Sequence, residues 1–269
     1  MTFRVRSIPK TFGSLYDFGI KNLIVGGCSF TYNNSDQHIC SWPYYLRDMG
    51  SFDTVLDCSL PGAGNSHIAS SLQWSLAAQQ PDPDNSLVIV MWSGNDRDDF
   101  LCNSTKLNGY PMRYDFSDQV SSAISGGSHP NNRGNIVNAT WEVKEFKSPQ
   151  SRAIENFLYV LSLHAWLTVN GYRFVFLHWL DRNLPSRAED FDIEPLLPRQ
   201  LAQQYKKMFS PIEDIYSWSL KHNYLDSDDF HPSVDGHLSW TKSVLIPFLK
   251  QVYSSDHTSL ICKKVSHNE

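Results

Sequence analysis

The sequence has no long hydrophobic segment. Its longest purely apolar run is the six residues from Leu87 to Trp92, whereas a helix that crosses a bilayer needs about 20. The N-terminal residues carry charges but no apolar stretch, so no secretory signal is predicted and we expect a cytoplasmic or otherwise non-secreted protein. Charge is also sparse, at 19% of residues and −5 net, without the basic cluster that binding to nucleic acid requires.

Paired cysteines and several common enzyme motifs are missing as well. The five cysteines are odd in number and include no C-x-x-C pair, which argues against a disulfide framework and against a zinc site; they are Cys28, Cys40, Cys58, Cys102 and Cys262. The lack of a G-x-S-x-G motif argues against the α/β-hydrolase fold, and the lack of a G-x-x-x-x-G-K-[ST] motif argues against a phosphate-binding loop.

What the sequence does contain is an alternation of short apolar runs and segments of helical periodicity, which is typical of a parallel sheet covered by helices. Four buried strands are predicted at 22–27, 54–58, 86–92 and 172–178, and a fifth is expected to end just before Asp226. Helices are predicted at 42–49, 66–79, 151–169, 200–220 with a break at Pro211, and 236–253.

These elements predict one domain over residues 1–269, with its core at about 22–253. An insertion at about 96–150 is rich in Gly, Asn, Ser and Asp and is far longer than an ordinary connection. Because such long loops are commonly functional, we expect the insertion to shape a substrate site.

Polar residues follow the predicted strands, at the edge where open α/β sheets bind ligands. Gly27-Cys28-Ser29 follows the first strand, Gly62 and Gly64 follow the second, and Asn95-Asp96 follows the third. The segment 226–232 follows the expected fifth strand. Each of these residues alone has an ordinary explanation, as a helix cap or as a turn residue.

Together, however, they contain every part that nucleophilic acyl chemistry needs. A serine must lose its proton to a base, a carboxylate must orient that base, and amide donors must meet the developing oxyanion. Ser29 would attack, His231 would accept its proton, and Asp228 would orient the imidazole. The backbone amides of Ser29 and Gly62 and the side chain of Asn95 would form the oxyanion hole.

The order of these motifs resembles that of the SGNH (GDSL-like) hydrolases, over residues 22 to about 250. The glycine-aspartate-serine block of that family resembles Gly27-Cys28-Ser29, with Cys28 in place of the aspartate, and its second-block glycine resembles Gly62. Its glycine-any-asparagine-aspartate block resembles Ser93-Gly94-Asn95-Asp96, with Ser93 in place of the first glycine. Its aspartate-any-any-histidine-proline block matches Asp228-Asp229-Phe230-His231-Pro232.

The resemblance implies a flavodoxin-like three-layer α/β sandwich with a five-stranded parallel sheet of order 2-1-3-4-5. It also implies a serine esterase that works without a metal or other cofactor, through an acyl-Ser29 intermediate. The expected substrate is a small-molecule or carbohydrate ester with a small acyl or O-acetyl group. Two alternatives stay open: an acyltransferase to a sugar hydroxyl, and a non-catalytic carbohydrate-binding module on the same scaffold. No nucleic-acid partner is expected, and the sequence predicts no oligomeric state.

Other residues compete for the nucleophile and the base. Cys28 is an alternative nucleophile, although its side chain should point away from that of the adjacent Ser29, and a small buried thiol is the commoner role. His237 is a second candidate base, but it falls at the start of the last predicted helix, where a packed histidine is the ordinary interpretation.

The orienting acid and the pocket have competing candidates too. Asp226 and Asp229 compete with Asp228 as the acid, and the resemblance favours Asp228. Trp92, at the end of the third strand, and Asp96 are candidate pocket residues.

Overall fold

The computed structural model describes residues 19–32, 40–94, 98–102, 106–107, 110–111, 122–126, 148–179, 197–226 and 231–254. Four residues that the sequence assigns to the site lie outside these ranges: Asn95, Asp96, Asp228 and Asp229. The roles predicted for them therefore stay predictions.

The described strands fall into one parallel sheet and two small antiparallel pairs. They are β1 (Asn22–Gly26), β2 (Thr54–Asp57), β3 (Ser86–Trp92), β4 (Asp98–Cys102), β5 (Lys106–Leu107), β6 (Tyr110–Pro111), β7 (Ser122–Gly126) and β8 (Arg173–His178). The main sheet is parallel with the order β2-β1-β3-β8, and β3 is buried along its whole length. The four predicted strands are thus confirmed to within a residue, in the predicted order 2-1-3-4.

The predicted fifth strand is not found within the described part of the chain. Beside β8, the sheet is extended only by a single parallel bridge between Phe176 and Phe209, where the N–H of Ser210 donates to the carbonyl of Phe176 at 2.9 Å. The fifth strand was expected just before Asp226, but Asp214 caps a helix there at Ile215–Lys221, and Leu225 forms only an antiparallel bridge with Pro232. The prediction of five strands is therefore wrong for the described residues.

The described helices connect and cover the strands. They are α1 (Trp42–Gly50), α2 (Asn65–Gln79), α3 (Pro149–Val169), α4 (Arg199–Met208), α5 (Ile215–Lys221), α6 (Val234–Trp240) and α7 (Ile246–Ser254), with a 3-10 turn at Pro83–Asn85 and a π-helical turn at Thr241–Leu245. The predicted break at Pro211 is confirmed, since α4 and α5 are separate helices. None of these described helices is both long and apolar enough to cross a membrane.

The helices form layers on the two faces of the sheet. In the sheet, β2 lies on one side of β1 and β3 lies on the other, so the connections β1-α1-β2 and β2-α2-β3 run in opposite directions along the sheet. Because such connections are right-handed, α1 and α2 lie on opposite faces. On one face α2 packs against α3. On the other, α1 packs against α6, where the rings of Trp42 and Trp240 meet edge to face with centroids 6.4 Å apart. The result is a three-layer α/β arrangement.

The end of α3 shows how the local sequence sets an element boundary. The predicted stop signal Asn170-Gly171 is confirmed, because Gly171 adopts a left-handed φ of 75°. The N–H of Tyr172 donates to Leu167 at 3.0 Å and that of Gly171 donates to Thr168 at 3.1 Å. This pair of bonds is a Schellman motif, which turns the chain directly into β8.

Part of the predicted insertion contains regular structure. Antiparallel pairing joins β4 to β7 and β5 to β6, and β4 lies beside α2. No strand was predicted in this segment from its sequence pattern, and its expected role at a substrate site stays a prediction.

Candidate active site

Ser29 lies in a tight turn that directly follows β1. The N–H groups of Thr31 and Tyr32 both donate to the carbonyl of Cys28, at 2.9 and 3.0 Å, so the backbone folds back at once after the strand. Gly27 has no room for a side chain, because a Cβ there would collide with the side chain of Thr31. The glycine thus permits the close turn that holds Ser29 at the carboxyl end of β1.

The hydroxyl of Ser29 meets the imidazole of His231. The distance between Oγ of Ser29 and Nε2 of His231 is 2.7 Å, across a sequence separation of 202 residues, and both residues are partly exposed. An imidazole nitrogen in this position can take the hydroxyl proton as the serine attacks. The fold therefore brings together the predicted nucleophile and the predicted base.

His231 lies at the end of a loop that is closed by antiparallel pairing. The N–H of Asp226 donates to the carbonyl of His231 at 2.8 Å, and the N–H of Ser233 donates to the carbonyl of Tyr224 at 2.7 Å. Between these two bonds Pro232 lies opposite Leu225 in a non-hydrogen-bonded pair. A residue in such a pair does not donate its N–H to the partner strand, so proline fits there without loss of a hydrogen bond. These backbone hydrogen bonds fix the position of His231 relative to Asp226 at the start of the loop.

Of the three candidate acids in this loop, the described residues include only Asp226. Its backbone is bound to His231, which places it at the base of the loop. Asp228 and Asp229 lie outside the described residues. Which carboxylate orients the imidazole therefore stays a prediction, with Asp228 favoured by the resemblance.

Gly62 lies in a turn that is tied to the nucleophile turn. The N–H of Ala63 donates to the carbonyl of Leu60 at 3.1 Å, and Gly62 has a φ of 80°. With Pro61 before it, this is the pattern of a type II turn, in which the third residue must adopt a positive φ and is therefore commonly glycine. The N–H of Leu60 donates to the carbonyl of Gly27 at 3.1 Å, so the turn lies against the chain that leads into Ser29.

The segment that leads to the predicted oxyanion asparagine is held by another asparagine. Oδ1 of Asn65 accepts the N–H of Ser93 at 2.8 Å, and its Nδ2 donates to the carbonyl of Ser93 at 3.1 Å. Both residues are buried, at 1% and 4% exposure. The backbone at Ser93 is therefore fixed two residues before Asn95, which itself lies outside the described residues.

Two aromatic residues of the site were not predicted from the sequence: Phe30, which packs against the imidazole, and Trp179, which packs against Phe30. The ring centroid of Phe30 lies 4.7 Å from that of His231 and 4.8 Å from that of Trp179. Phe30 directly follows the nucleophile, and Trp179 directly follows β8. The rule that residues at strand ends surround the site could have found both of them.

Trp92, the tryptophan that the sequence did select, lies in the core. Its side chain is fully buried, and its ring meets that of Phe176 edge to face with centroids 5.3 Å apart. Its predicted contribution to a pocket stays a prediction.

The structure also bears on the competing nucleophile and base. Cys28 is completely buried in the core, whereas Ser29 is partly exposed. His237 is 5% exposed, and burial together with the nearby His231 lowers its pKa to about 3. A substrate thus has access to Ser29 and His231 but not to the side chains of their competitors.

The described part of the chain contains free cysteine thiols. The side chains of Cys28, Cys40 and Cys58 are free thiols. Burial raises the pKa of Cys58 to about 11, so this thiol stays protonated at neutral pH. Within the described ranges, no group of three or more His, Cys, Asp or Glu residues is placed to hold a metal ion.

Known proteins resemble this chain in structure rather than in overall sequence. No protein-family model matches the chain, and no curated protein matches it. The psychrotrophic esterase EstA from Pseudoalteromonas sp. is 8% identical with a TM-score of 0.48, covering 87% of this chain and 99% of its own. A catalytic mutant of an acetylxylan esterase from Geobacillus stearothermophilus is 14% identical with a TM-score of 0.48, covering 90% and 95%. A GDSL-like lipase from Bacteroides thetaiotaomicron is 11% identical with a TM-score of 0.40, covering 87% and 88%.

Proposed function

We propose that this chain is a serine esterase of the SGNH type. The observation that carries the proposal is the 2.7 Å contact between Oγ of Ser29 and Nε2 of His231. The contact lies at the carboxyl edge of a parallel sheet, where open α/β folds bind their ligands. The strand-end motifs that resemble the SGNH blocks supply the remaining parts of the proposed site.

The proposed reaction begins with acylation. His231 takes the hydroxyl proton of Ser29 as Oγ attacks the carbonyl carbon of the ester. The carbonyl oxygen becomes an oxyanion, which the backbone amides of Ser29 and Gly62 and the side chain of Asn95 would stabilise. The imidazolium then gives its proton to the oxygen of the leaving alcohol, the ester C–O bond breaks, and the acyl group stays on Ser29.

Deacylation repeats these steps with water. His231 takes a proton from a water molecule, whose oxygen attacks the acyl carbon. The tetrahedral intermediate breaks its bond to Oγ, the proton returns to Ser29, and a carboxylic acid leaves. Asp228 would stabilise the imidazolium in both halves of the reaction by accepting a hydrogen bond from its other ring nitrogen.

For the substrate we propose an ester with a small acyl group, such as an acetyl group on a carbohydrate. Phe30 supports a small acyl group, because its ring is only 3% exposed and fills the space on one side of the imidazole, and Trp179, 6% exposed, packs against it. A long acyl chain would have to displace these packed rings or leave the site in another direction.

The test compares the wild type with Ser29→Ala on p-nitrophenyl esters of increasing acyl length and on acetylated sugars. We expect the highest kcat/KM on acetyl esters and a loss of about 10⁴-fold or more in Ser29→Ala. Ser70→Ala, an exposed position on α2, serves as the matched control. Equal activity of Ser29→Ala and the wild type would overturn the proposal, and turnover that requires an added sugar acceptor would identify an acyltransferase instead.

A further inference from the structure

One face of the His231 imidazole is covered by an aromatic ring. The Phe30 ring lies 4.7 Å from the imidazole, centroid to centroid, and is tilted by 32°. Phe30 is next to Ser29 in the chain, so a single turn supplies both the hydroxyl that meets Nε2 and the ring that covers the imidazole. The same backbone segment therefore contacts His231 in two different ways.

The Phe30 ring is itself held in place from behind. Its centroid lies 4.8 Å from that of Trp179, which follows β8, and Trp179 meets the ring of Tyr216 edge to face at 5.9 Å. The N–H of Tyr216 donates to the carbonyl of Trp179 at 3.3 Å. Phe30 and Trp179 are almost fully buried, so Phe30 has little freedom to move away from the imidazole.

The two contacts restrict different motions of the imidazole. A hydrogen bond between Oγ and Nε2 fixes one atom of the ring but does not by itself fix the ring plane. An aromatic ring packed against the imidazole restricts the rotation of that plane. Proton transfer needs a defined donor–acceptor geometry, and small misplacements of reacting groups lower the rate strongly.

We infer that Phe30, backed by Trp179, is a positioning residue that holds the imidazole of His231 in the orientation in which Nε2 takes the proton of Ser29. This inference rests on the proposed esterase function of the same site. Phe30 acts through His231, and the effect requires an aromatic ring rather than apolar volume alone.

The first experiment removes the ring and keeps most of the apolar volume. In Phe30→Leu and Phe30→Met, we expect kcat on p-nitrophenyl acetate to fall roughly ten- to a hundred-fold, since the imidazole loses its orientation. KM for p-nitrophenyl acetate should change by less than about twofold, because the Phe30 ring is only 3% exposed and acts on this small substrate through the imidazole. Phe30→Tyr keeps the ring and should recover most of the wild-type kcat.

The matched control makes the same change at a buried ring away from the site. Phe157 is 5% exposed, and its ring packs against Tyr205 with centroids 5.2 Å apart. Phe157→Leu should lower the melting temperature about as much as Phe30→Leu does while leaving kcat unchanged. If kcat falls equally in both variants, or if Phe30→Tyr is no more active than Phe30→Leu, the inference is wrong.

A measurement without substrate separates this inference from the proposed function. In protein labelled with ¹⁵N-histidine, the ring nitrogens of His231 report its tautomer and its order by NMR. We expect one defined tautomer in the wild type and in Phe30→Tyr, and averaged signals in Phe30→Leu. If the wild type hydrolyses no ester, the proposed function fails and this spectrum still decides the inference: unchanged His231 signals in Phe30→Leu would refute it.

Discussion

His231 and His237 lie six residues apart, one at the end of the loop before α6 and the other within that helix. His231 is partly exposed, and its Nε2 lies 2.7 Å from Oγ of Ser29. His237 is buried, and its pKa is lowered to about 3 by burial and by the neighbouring His231. The loop thus directs its histidine to the edge of the sheet, whereas α6 directs its histidine into the protein.

The close packing of α6 explains this difference. Ser233 caps the helix by accepting the N–H of Gly236 at 3.2 Å. A Cβ on Gly236 would lie 3.0 Å from Oγ of Ser219 and 3.0 Å from the carbonyl oxygen of Tyr224, so a larger residue would force these neighbours to shift by a few tenths of an ångström. The next residue, His237, is buried in this closely packed helix. The exposure of each imidazole therefore depends on whether the histidine lies in the loop or in the packed helix.

The largest effect that tests this comparison is expected from His231→Ala. We expect kcat/KM for ester hydrolysis to fall about 10⁴-fold or more, because the base is lost. The double variant with Ser29→Ala should be no worse than either single variant, since the two residues act as a unit. His237→Gln is the control and should keep most of the activity; the opposite pattern would reverse the assignment of the base.

The acid of the loop should give the next largest effect. We expect Asp228→Asn to lower kcat roughly 10³- to 10⁴-fold, because an amide would favour the wrong imidazole tautomer. Asp226→Asn and Asp229→Asn should each cost less than about tenfold. A pH-independent loss in Asp226→Asn or Asp229→Asn that exceeds the loss in Asp228→Asn would assign the acid to that residue instead.

The buried histidine should make stability depend on pH. The pKa of His237 is about 3 in the folded protein against an ordinary value of 6.5, so between these values only the unfolded chain binds the proton. The free energy of unfolding should therefore decrease as the pH falls through this window, by up to about 1.4 kcal/mol per pH unit from this group. Above pH 6.5 the full stability is present.

Urea denaturation at several pH values in this window measures the effect. His237→Gln should show a smaller decrease in stability on acidification than the wild type. His231→Gln should keep most of the decrease, because burial, the main cause of the lowered pKa of His237, is unchanged. Parallel curves for the wild type and His237→Gln would show that the buried imidazole does not account for the dependence.

The smallest effect is expected at the cap between the two histidines. Ser233→Ala removes the acceptor for the N–H of Gly236 and should lower the free energy of unfolding by about 1 kcal/mol. Ser148→Ala is the matched control, since Ser148 caps α3 by accepting the N–H of Ser151 at 3.1 Å. A lower kcat in Ser233→Ala alone would show that the cap also helps to place the loop of His231.

Much of the fold could be predicted because its signals are local. The apolar run at 86–92 coincides with β3, the break at Pro211 separates α4 from α5, and Asn170-Gly171 ends α3. The fifth strand was predicted wrongly because a strand needs a partner ladder as well as a favourable sequence. Next to β8 that ladder stops after the bridge at Phe209.

The site was predictable in its residue types but not in its contacts. Strand-end motifs identified Ser29 and His231, because chain order and parallel strands place such motifs at one edge of the sheet. They did not single out Phe30 or Trp179, although both residues follow strands, because the contact between their rings has no signal in either local sequence. They also left His237 open as a base, because burial depends on how helices pack.

Local patterns in the sequence located the four strands of the main sheet and the polar groups that follow them, because interactions within a few residues control both. Long-range packing brings Ser29 and His231 together across 202 residues, places Phe30 against the imidazole and buries His237. These contacts depend on the packing of elements that are far apart in the chain, and the sequence around each residue does not show which distant element it will contact.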